Sequence, residues 1–508
     1  MIAGRAGGIL LHPTSLPGPY GIGDLGPAAH EWVRWLARSG CRLWQVLPLG
    51  PTGYGDSPYQ SFSTFAGNPL LVSPDILLAE GLLTQDEIAE VPSFPEDHVD
   101  FGPVISWKDG LLTRLTETFD TRASSAQREA FLRFCDLNRD WLEDFALFMA
   151  LKRAHAGAPW TEWSDGLRLR EPEALADAAR SLEAEVEAQR VRQFCFFRQW
   201  ESLAGAAHAA GIDLVGDIPI FVAHDSADVW SHPKYFALDA AGQPAFVAGV
   251  PPDYFSPTGQ RWGNPLYRWD VIRGEGYAWW LRRLRAVLSI VDIVRLDHFR
   301  GFEAYWEIPA SAPTAETGRW VPGPGADFLD AVRKDLGRLP LIAEDLGVIT
   351  AGVKKLRTDF DLPGMKVLQF AFDGHPEHEF LPHNYPGRCV VYTGTHDNDT
   401  VVGWYDSAPE KERDFCRRYL GREGTDIAWD QIRAAWASVA QWAIAPLQDL
   451  LSLGTEARMN YPSREHGNWG WRVRVEQLTP KLSHRLAEFN HLYGREEPAP
   501  EPEAEPEP

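Results

Sequence analysis

Cysteine is scarce in this chain of 508 residues, and the few cysteines follow no pairing pattern. The five are Cys41, Cys135, Cys195, Cys389 and Cys416. Their number is odd and no two form a C-x-x-C spacing, which argues against a disulfide framework and against a thiolate zinc site. We therefore expect the chain to work in a reducing compartment, the cytoplasm.

Long apolar runs and an excess of basic charge are also missing. No segment reaches the roughly 18 apolar residues of a membrane helix. The apolar stretch Gly7–Leu11 is too short for a signal peptide. Lys and Arg number 49 against 71 Asp and Glu, a net charge of −22. Because this charge repels polyanions, we expect neither nucleic acid nor a membrane as partner, whereas a neutral sugar is not repelled.

Three acidic residues end three short, β-branched apolar segments. These are Asp297, Glu344 and Asp397, after the strand candidates 291–297, 341–344 and 389–397. Parallel strands that deliver acids to one end are typical of a (β/α) barrel, whose active site lies at the C-terminal ends of its strands. Converging carboxylates are also what glycosidic bond chemistry needs. The pattern predicts both an architecture and a reaction.

The spacing within the segments suggests a role for each acid. Residues two apart on a strand share a face, so Arg295 should lie beside Asp297, lower its pKa and keep it ionised as a nucleophile. Glu344 and Asp345 cannot share a face, and we assign Glu344 as the proton donor, its pKa raised by nearby carboxylates. Asp397 would be the third acid, favouring a distorted sugar ring.

Two alternatives remain for these acids. An acid after a strand is often only the N-cap of the next helix. His396, Asp397 and Asp399 are also candidate metal ligands, although only two of them can share a face. We expect no metal and no cofactor, and no phosphate-binding loop for a sugar nucleotide is present.

The rest of the chain alternates between strand and helix candidates. Further strands are expected at 41–49, 212–217, 365–370 and 456–461, with the second barrel strand within 68–78. Long amphipathic segments at about 85–198 predict a helical insertion. Residues 246–267 are rich in Pro, Gly and aromatics and indicate an irregular lid loop. The stretch 496–508 holds six Glu and five Pro and is expected to be a disordered tail.

Several motifs resemble those of one family. They are GILLHPTSLPGPYGIGDLG at 8–26, DSPYQ at 56–60, GDIPIFV at 216–222, RLDHF at 295–299, AEDLG at 343–347 and THDN at 395–398. With them the chain resembles, from about residue 7 to 493, the amylomaltases, which are 4-α-glucanotransferases related to the α-amylase superfamily. The resemblance implies a (β/α)8 TIM barrel over 1–495 with inserted helical subdomains around the groove and no C-terminal β-sandwich.

The resemblance also implies roles for particular residues. Asp297 would be the nucleophile, Glu344 the acid/base and Asp397 the transition-state carboxylate. The residues implied to bind the glucan are Tyr59, Asp217, Asp253, Gln260, Trp262, Arg295, His298, His396, Asp373 and Asn468, with Tyr54 at a second, remote glucan site. The implied substrates are α-1,4-glucans and malto-oligosaccharides, and the oligomeric state is open, a monomer included.

The implied reaction is a retaining transfer of glucan segments through a glucosyl-enzyme on Asp297. The nearest rival is an α-1,4-glucan hydrolase that uses the same acids and differs only in what captures the intermediate. A glucan-binding barrel without catalysis and a metal-dependent sugar isomerase on the same barrel are more distant rivals.

Overall fold

The computed structural model describes residues 4–252, 256–462, 464 and 466–496. Within them the strands are β1 (Ala6–Leu10), β2 (Leu43–Gln45), β3 (Asp213–Pro219), β4 (Phe246–Val250), β5 (Gln260–Pro265), β6 (Ile293–Asp297), β7 (Ala304–Pro309), β8 (Arg319–Pro322), β9 (Leu341–Ala343), β10 (Gly364–Val367), β11 (Cys389–Tyr392) and β12 (Trp442–Pro446). The tail from 497 onwards lies outside the described residues, so the prediction for it stays untested.

The helices of the same residues are α1 (Pro27–Arg38), α2 (Pro74–Ala79), α3 (Phe101–Arg122), α4 (Ser125–Leu137), α5 (Arg139–Ala154), α6 (Asp165–Arg168), α7 (Pro172–Ser181), α8 (Glu183–Ala209), α9 (Ala227–Ser231), α10 (Trp269–Gly274), α11 (Ala278–Leu288), α12 (Gly325–Leu336), α13 (Ala351–Asp359), α14 (Val401–Ser407), α15 (Glu410–Leu420), α16 (Ile427–Ala437), α17 (Leu447–Leu450) and α18 (Pro480–Leu492). In this described part, no helix is both long enough and apolar enough to cross a membrane.

Eight parallel strands close into a barrel in the order β1-β2-β3-β6-β9-β10-β11-β12, and β12 pairs with β1. The predicted (β/α)8 TIM barrel is confirmed. Its interior is filled by side chains from alternate positions, such as Val215, Ile293, Met365 and Tyr392. These apolar side chains fill the interior towards the N-terminal ends of the strands. The inward-facing polar side chains therefore lie at the C-terminal ends.

Two of the predicted barrel strands are wrong. Residues 68–78 form a short 3-10 turn and helix α2. The range 456–461 overlaps a 3-10 turn, Thr455–Ala457, and contains no strand. The strands that take these places in the barrel are β1 and β12. Strand β1 was missed because it carries two glycines. A Cβ on Gly8 would come within 2.4 Å of the Leu43 Cβ, so the close approach of β2 requires glycine there.

The segment predicted as a helical insertion is helical, but the segment predicted as a lid loop is not a loop. Helices α3 to α8 account for most of 85–198, and α8 continues to Ala209. The segment 246–267 is not an irregular loop, because β4 and β5 pair antiparallel within a four-stranded sheet of order β5-β4-β7-β8. Asp253 lies outside the described residues.

Candidate active site

A buried arginine joins two acids at the top of neighbouring strands. Asp217 on β3 and Arg295 on β6 are paired in the strand register. The Arg295 Nη1 lies 2.5 Å from the Asp217 Oδ2, and its Nη2 lies 2.9 Å from the Asp297 Oδ1. The predicted shared face of Arg295 and Asp297 is confirmed. The guanidinium is thereby fixed between two carboxylates, and it holds both in place.

Glu344 follows β9 and reaches the end of β6. Its Oε2 accepts a hydrogen bond from the backbone N–H of His298 at 2.7 Å, and its Oε1 accepts one from Leu346 at 2.9 Å. Asp345 faces the other way, because it accepts from the Met365 N–H at 2.8 Å and pairs with Arg357. The predicted opposite orientation of the two acids is confirmed. Because His298 is the residue after Asp297, the Glu344 carboxyl lies next to the Asp297 backbone.

The protonation of these acids differs from the prediction. Burial raises the pKa of Asp297 to about 8, and the charges of Asp217, Glu344 and Asp397 add to the effect. Arg295 lowers this pKa, as predicted, but burial outweighs it, so the predicted net decrease is wrong. Burial, more than neighbouring charge, also raises the pKa of Glu344. Because the Glu344 charge contributes to the raised pKa of Asp297, the ionisation of one carboxyl disfavours that of the other. Near neutral pH the two carboxyls therefore hold a proton between them.

Asp397 is held by residues that the sequence reading missed. The Asn460 side chain donates to the Asp397 Oδ1 at 2.6 Å, and Arg458 donates to the Asp397 backbone carbonyl at 2.6 Å. The His396 Nε2 lies 3.4 Å from the Asp397 Oδ2. The Asn460 N–H in turn donates to the His396 carbonyl. No motif marks Arg458 and Asn460, because they belong to an irregular segment that reaches Asp397 only in the folded barrel.

Tyr59 connects the acid cluster to an aromatic wall. Its hydroxyl donates to the Asp217 Oδ2 at 2.8 Å, and its ring stacks on His396 with centroids 5.1 Å apart. Trp469, which was not predicted, lies 5.7 Å from the Tyr59 ring. The buried Asp217 Oδ1 has no hydrogen-bond partner among the described residues, which leaves an acceptor for a ligand hydroxyl. Flat rings beside carboxylates suit a pyranose, which has apolar C–H faces and a rim of hydroxyls.

The comparisons with known proteins identify this arrangement. A family model described as 4-alpha-glucanotransferase matches residues 11–478. The chain belongs to the 4-alpha-glucanotransferase family. It is 55% identical to a 4-alpha-glucanotransferase of Thermus thermophilus over 95% of this chain and 97% of that protein. It is 50% identical to one of Synechocystis over 97% of this chain and 99% of that one.

A solved structure agrees with the sequence relatives. The amylomaltase of Streptococcus agalactiae, in complex with acarbose, superposes with a TM-score of 0.94 at 37% identity, over 97% of this chain and all of that one. The predicted resemblance to the amylomaltases, which are related to the α-amylase superfamily, is confirmed. The chain is an enzyme of carbohydrate metabolism with 4-α-glucanotransferase activity.

The four-stranded sheet brings further residues of the transferase to its acids. The Trp262 ring on β5 meets His298 edge-on at 4.9 Å, and its Nε1 donates to Gln260 at 3.1 Å. His298 is buried in a left-handed conformation with a φ of 52°. Burial lowers the pKa of His298 to about 3, which keeps its ring neutral. Strand β5 therefore forms one wall above the catalytic end of β6.

Among the contacts of the described residues, Asp373 and Asn468 have no hydrogen bond to the carboxylates of Asp217, Asp297, Glu344 or Asp397. Asp373 accepts from the His375 N–H at 2.9 Å, and Asn468 bonds the backbone of Tyr461 and Arg464. Tyr54 lies on a surface turn and is 69% exposed. Their roles stay predictions.

The metal alternative finds no support in the geometry. Asp399 accepts from the Thr455 hydroxyl at 2.8 Å and turns away from His396 and Asp397. Across residues 4–252, 256–462, 464 and 466–496, no group of three or more His, Cys, Asp or Glu side chains is placed to hold a metal ion.

Proposed function

We propose that the transfer is a retaining double displacement with Asp297 as nucleophile. An Asp297 oxygen attacks the anomeric carbon of an α-1,4-glucan while Glu344 protonates the departing oxygen. The first product leaves with its new 4-hydroxyl, and the glucosyl group stays bound to Asp297 as an ester. The 4-hydroxyl of an acceptor glucan or glucose then attacks, Glu344 takes its proton, and the ester bond breaks. Two inversions retain the α configuration.

The observation that carries this proposal is the hydrogen bond from the His298 N–H to Glu344. It fixes the acid/base beside the residue that follows the nucleophile, so both carboxyls border the same space. The double displacement expects these carboxyls roughly 5–5.5 Å apart. The contact at 2.9 Å between Arg295 and Asp297 opposes the effect of burial on the pKa of Asp297 and favours its ionised form, and the mechanism requires that Glu344 carry the proton when the glucan is cleaved.

Asp397 is proposed to stabilise the positively charged ring of the transition state. The hydrogen bond from Asn460 and the nearby His396 ring orient its carboxylate. The residues proposed to hold the glucan at the cleavage point are Tyr59, Asp217, Arg295, His298 and His396. We extend the glucan site to Asp253, Gln260, Trp262, Asp373 and Asn468, and we keep Tyr54 as the candidate for a second glucan site.

Transfer requires that water compete poorly with an acceptor sugar. The proposed means is the β4–β5 hairpin, which acts as the lid: Trp262 covers His298 and narrows the access of water to the ester on Asp297. The alternative, a hydrolase with the same acids, predicts only shorter products. Incubation with maltotriose separates the two, because transfer produces oligomers longer than maltotriose whereas hydrolysis alone gives glucose and maltose.

The roles of Asp297 and Glu344 are tested with α-maltosyl fluoride as donor and azide as acceptor. Asp297→Gly should lose nearly all transfer and, with azide, give the β-maltosyl azide in a single inversion. Glu344→Ala should keep its activity on the fluoride, whose departure needs little protonation, and give the α-maltosyl azide. If Asp297→Gly gave the α-azide and Glu344→Ala the β-azide, Glu344 would be the nucleophile and Asp297 the acid/base. An unimpaired Asp297→Gly variant would refute the mechanism.

The composition supports the proposed location, and a relative supports the proposed partners. The five cysteines, all free in the structure, support a reducing compartment, and we propose the cytoplasm. The proposed partners are α-1,4-glucans and malto-oligosaccharides, a proposal that the acarbose complex of the streptococcal relative supports.

A further inference from the structure

Asp449 joins the two ends of the loop that carries Asp397. Its Oδ2 accepts a hydrogen bond from the Thr393 hydroxyl at 2.5 Å, and its Oδ1 accepts one from the Val401 N–H at 2.8 Å. Thr393 follows the last residue of β11, and Val401 is the first residue of α14. One side chain on the short helix α17 therefore closes the loop 393–401. The Asp449 residue itself is only 1% exposed.

The packing beneath the loop includes apolar side chains such as Leu11, Leu47 and Met459, but it is incomplete. A cavity of about 30 Å³ lies behind it and is lined, among others, by His12, Thr395, His396, Asn398 and Asp449. This volume holds only one or two waters. The buried His12 Nδ1 has no partner within the described part of the chain. Because this cavity interrupts the packing beneath the loop, hydrogen bonds contribute to holding the loop in position.

The other bonds to the loop fix its middle. Arg458 donates to the Asp397 carbonyl at 2.6 Å, and Gln369 donates to the Asp399 carbonyl at 2.8 Å. Asp449 is different because it fixes both points where the loop leaves regular structure. Burial raises the pKa of Asp449 to about 6, so at neutral pH the carboxylate is largely ionised and both oxygens accept.

We propose that Asp449 is a positioning residue for transfer, which holds the loop 393–401 so that Asp397 meets the sugar ring in the transition state. The inference rests on the role proposed for Asp397 above. Asp449 touches no substrate in this account. Its effect is transmitted through Thr393 and Val401 to a carboxylate four residues from each end of the connection.

Loss of the Asp449 hydrogen bonds should lower kcat and change KM little. Most of the glucan wall, including Arg295 on β6 and Trp262 on β5, lies outside this loop, whereas His396 lies on it and contacts the Tyr59 ring. A displacement of Asp397 by about 1 Å should cost about 100-fold in kcat, because misplacement of this size weakens interactions made in the transition state. Ground-state binding of the glucan should change little.

The test compares Asp449→Leu, which has a similar volume and no acceptor, with Asp449→Asn, which keeps one acceptor oxygen. The matched control is Asp228→Leu, since Asp228 on α9 is also a buried carboxylate that accepts a threonine hydroxyl and a backbone N–H, both from Thr64, at 2.9 and 2.8 Å. We expect kcat on maltotriose, per folded enzyme by circular dichroism, to fall about 100-fold in Asp449→Leu and less in Asp449→Asn. KM should stay within about threefold, and Asp228→Leu should keep its kcat.

A second donor separates a displaced Asp397 from a displaced Glu344. The fluoride ion leaves α-maltosyl fluoride without protonation, so this donor rescues a defect in the acid Glu344. Its reaction still passes through a positively charged sugar ring, which Asp397 is proposed to stabilise. Asp449→Leu should therefore be impaired on the fluoride to the same degree as on maltotriose. Full rescue by the fluoride would overturn the proposal.

Two further variants keep the test decisive. If Asp449→Leu fails to fold, Thr393→Val, which removes only the hydroxyl, should still lower kcat about tenfold, and an unchanged kcat would overturn the proposal. Asp397→Asn tests the role on which the inference rests. An active Asp397→Asn refutes the proposed function, whereas an inactive Asp397→Asn beside a fully active Asp449→Leu refutes only this inference.

Discussion

At the scale of single residues, the site gathers buried and half-buried carboxylates that repel one another around one arginine. Asp217, Asp297 and Glu344 lie at the ends of three neighbouring strands, and Arg295 neutralises only part of their charge. Such an arrangement lowers the stability of the fold in exchange for function. The raised pKa of Asp297 is a consequence of this arrangement, because the folded chain then holds a proton that the unfolded chain would release.

The change Asp297→Asn should stabilise the protein, and more so at higher pH. An aspartate in the unfolded chain titrates near pH 4, whereas Asp297 in the folded chain has a pKa of about 8. Between these values the folded state binds more protons, so the free energy of unfolding falls as pH rises. The neutral amide avoids this loss. We expect a gain in Tm that is small at pH 5 and reaches about 2 °C or more at pH 8.

Thermal unfolding at the two pH values measures this difference. Asp165→Asn is the matched control, because its side chain is 82% exposed and should give the same small shift at both. A gain in Tm for Asp297→Asn that is equal at the two pH values, or larger at pH 5, would contradict the assignment.

At the scale of elements, the β4–β5 hairpin should control the fate of the glucosyl-enzyme. Trp262→Ala removes the ring that covers His298 and opens the site to water. We expect the ratio of transfer to hydrolysis on maltotriose to fall about tenfold, since water then competes with the bound acceptor. The measurement is the yield of longer oligomers relative to net new reducing ends, which only hydrolysis creates.

Trp320→Ala provides the comparison within the same sheet. Trp320 lies on β8, at the opposite edge of the sheet from β5, and its ring stacks on Arg300. Its removal should leave the ratio unchanged. If both variants lose transfer equally, the sheet acts through its stability and not through the cover that Trp262 provides.

The elements also show how far the sequence predicts this protein. The three acids were found because parallel strands bring their ends to one edge, whatever the connections between them. Strand β1 escaped because its glycines serve close packing, Gly8 against β2 and Gly7 against the Asn490 side chain. Asn460 and Asp449 escaped because they contact the loop of Asp397 only once β12 has closed the barrel, and no local spacing encodes that contact. The pKa of Asp297 was misjudged because burial depends on the whole fold.

At the scale of the whole molecule, the barrel is closed by a buried arginine near the end of the described chain. The Arg495 guanidinium is completely buried and forms no ion pair among the described residues. It donates to the carbonyls of Ala6 at 3.1 Å, Trp436 at 2.8 Å and Ala440 at 3.0 Å. Ala6 belongs to β1, Trp436 to the last turn of α16, and Ala440 to the segment that leads into β12. The contact thus ties the C-terminal segment to the pair of strands that closes the barrel.

Arg495→Ala should therefore destabilise the entire barrel, and not only its C-terminal end. The change leaves several buried carbonyls without a donor, and we expect a loss of about 4 kcal/mol or more in the free energy of unfolding. Arg5 is the control, because it also donates to the Trp436 and Ser438 carbonyls but is only half-buried, so Arg5→Ala should cost less than half as much. Urea unfolding followed by near-ultraviolet and far-ultraviolet circular dichroism measures both. The near-ultraviolet and far-ultraviolet transitions should coincide, since β1 and β12 are the pair of strands that closes the barrel. An early, separate transition confined to helix α18 would show that Arg495 holds only the last helix.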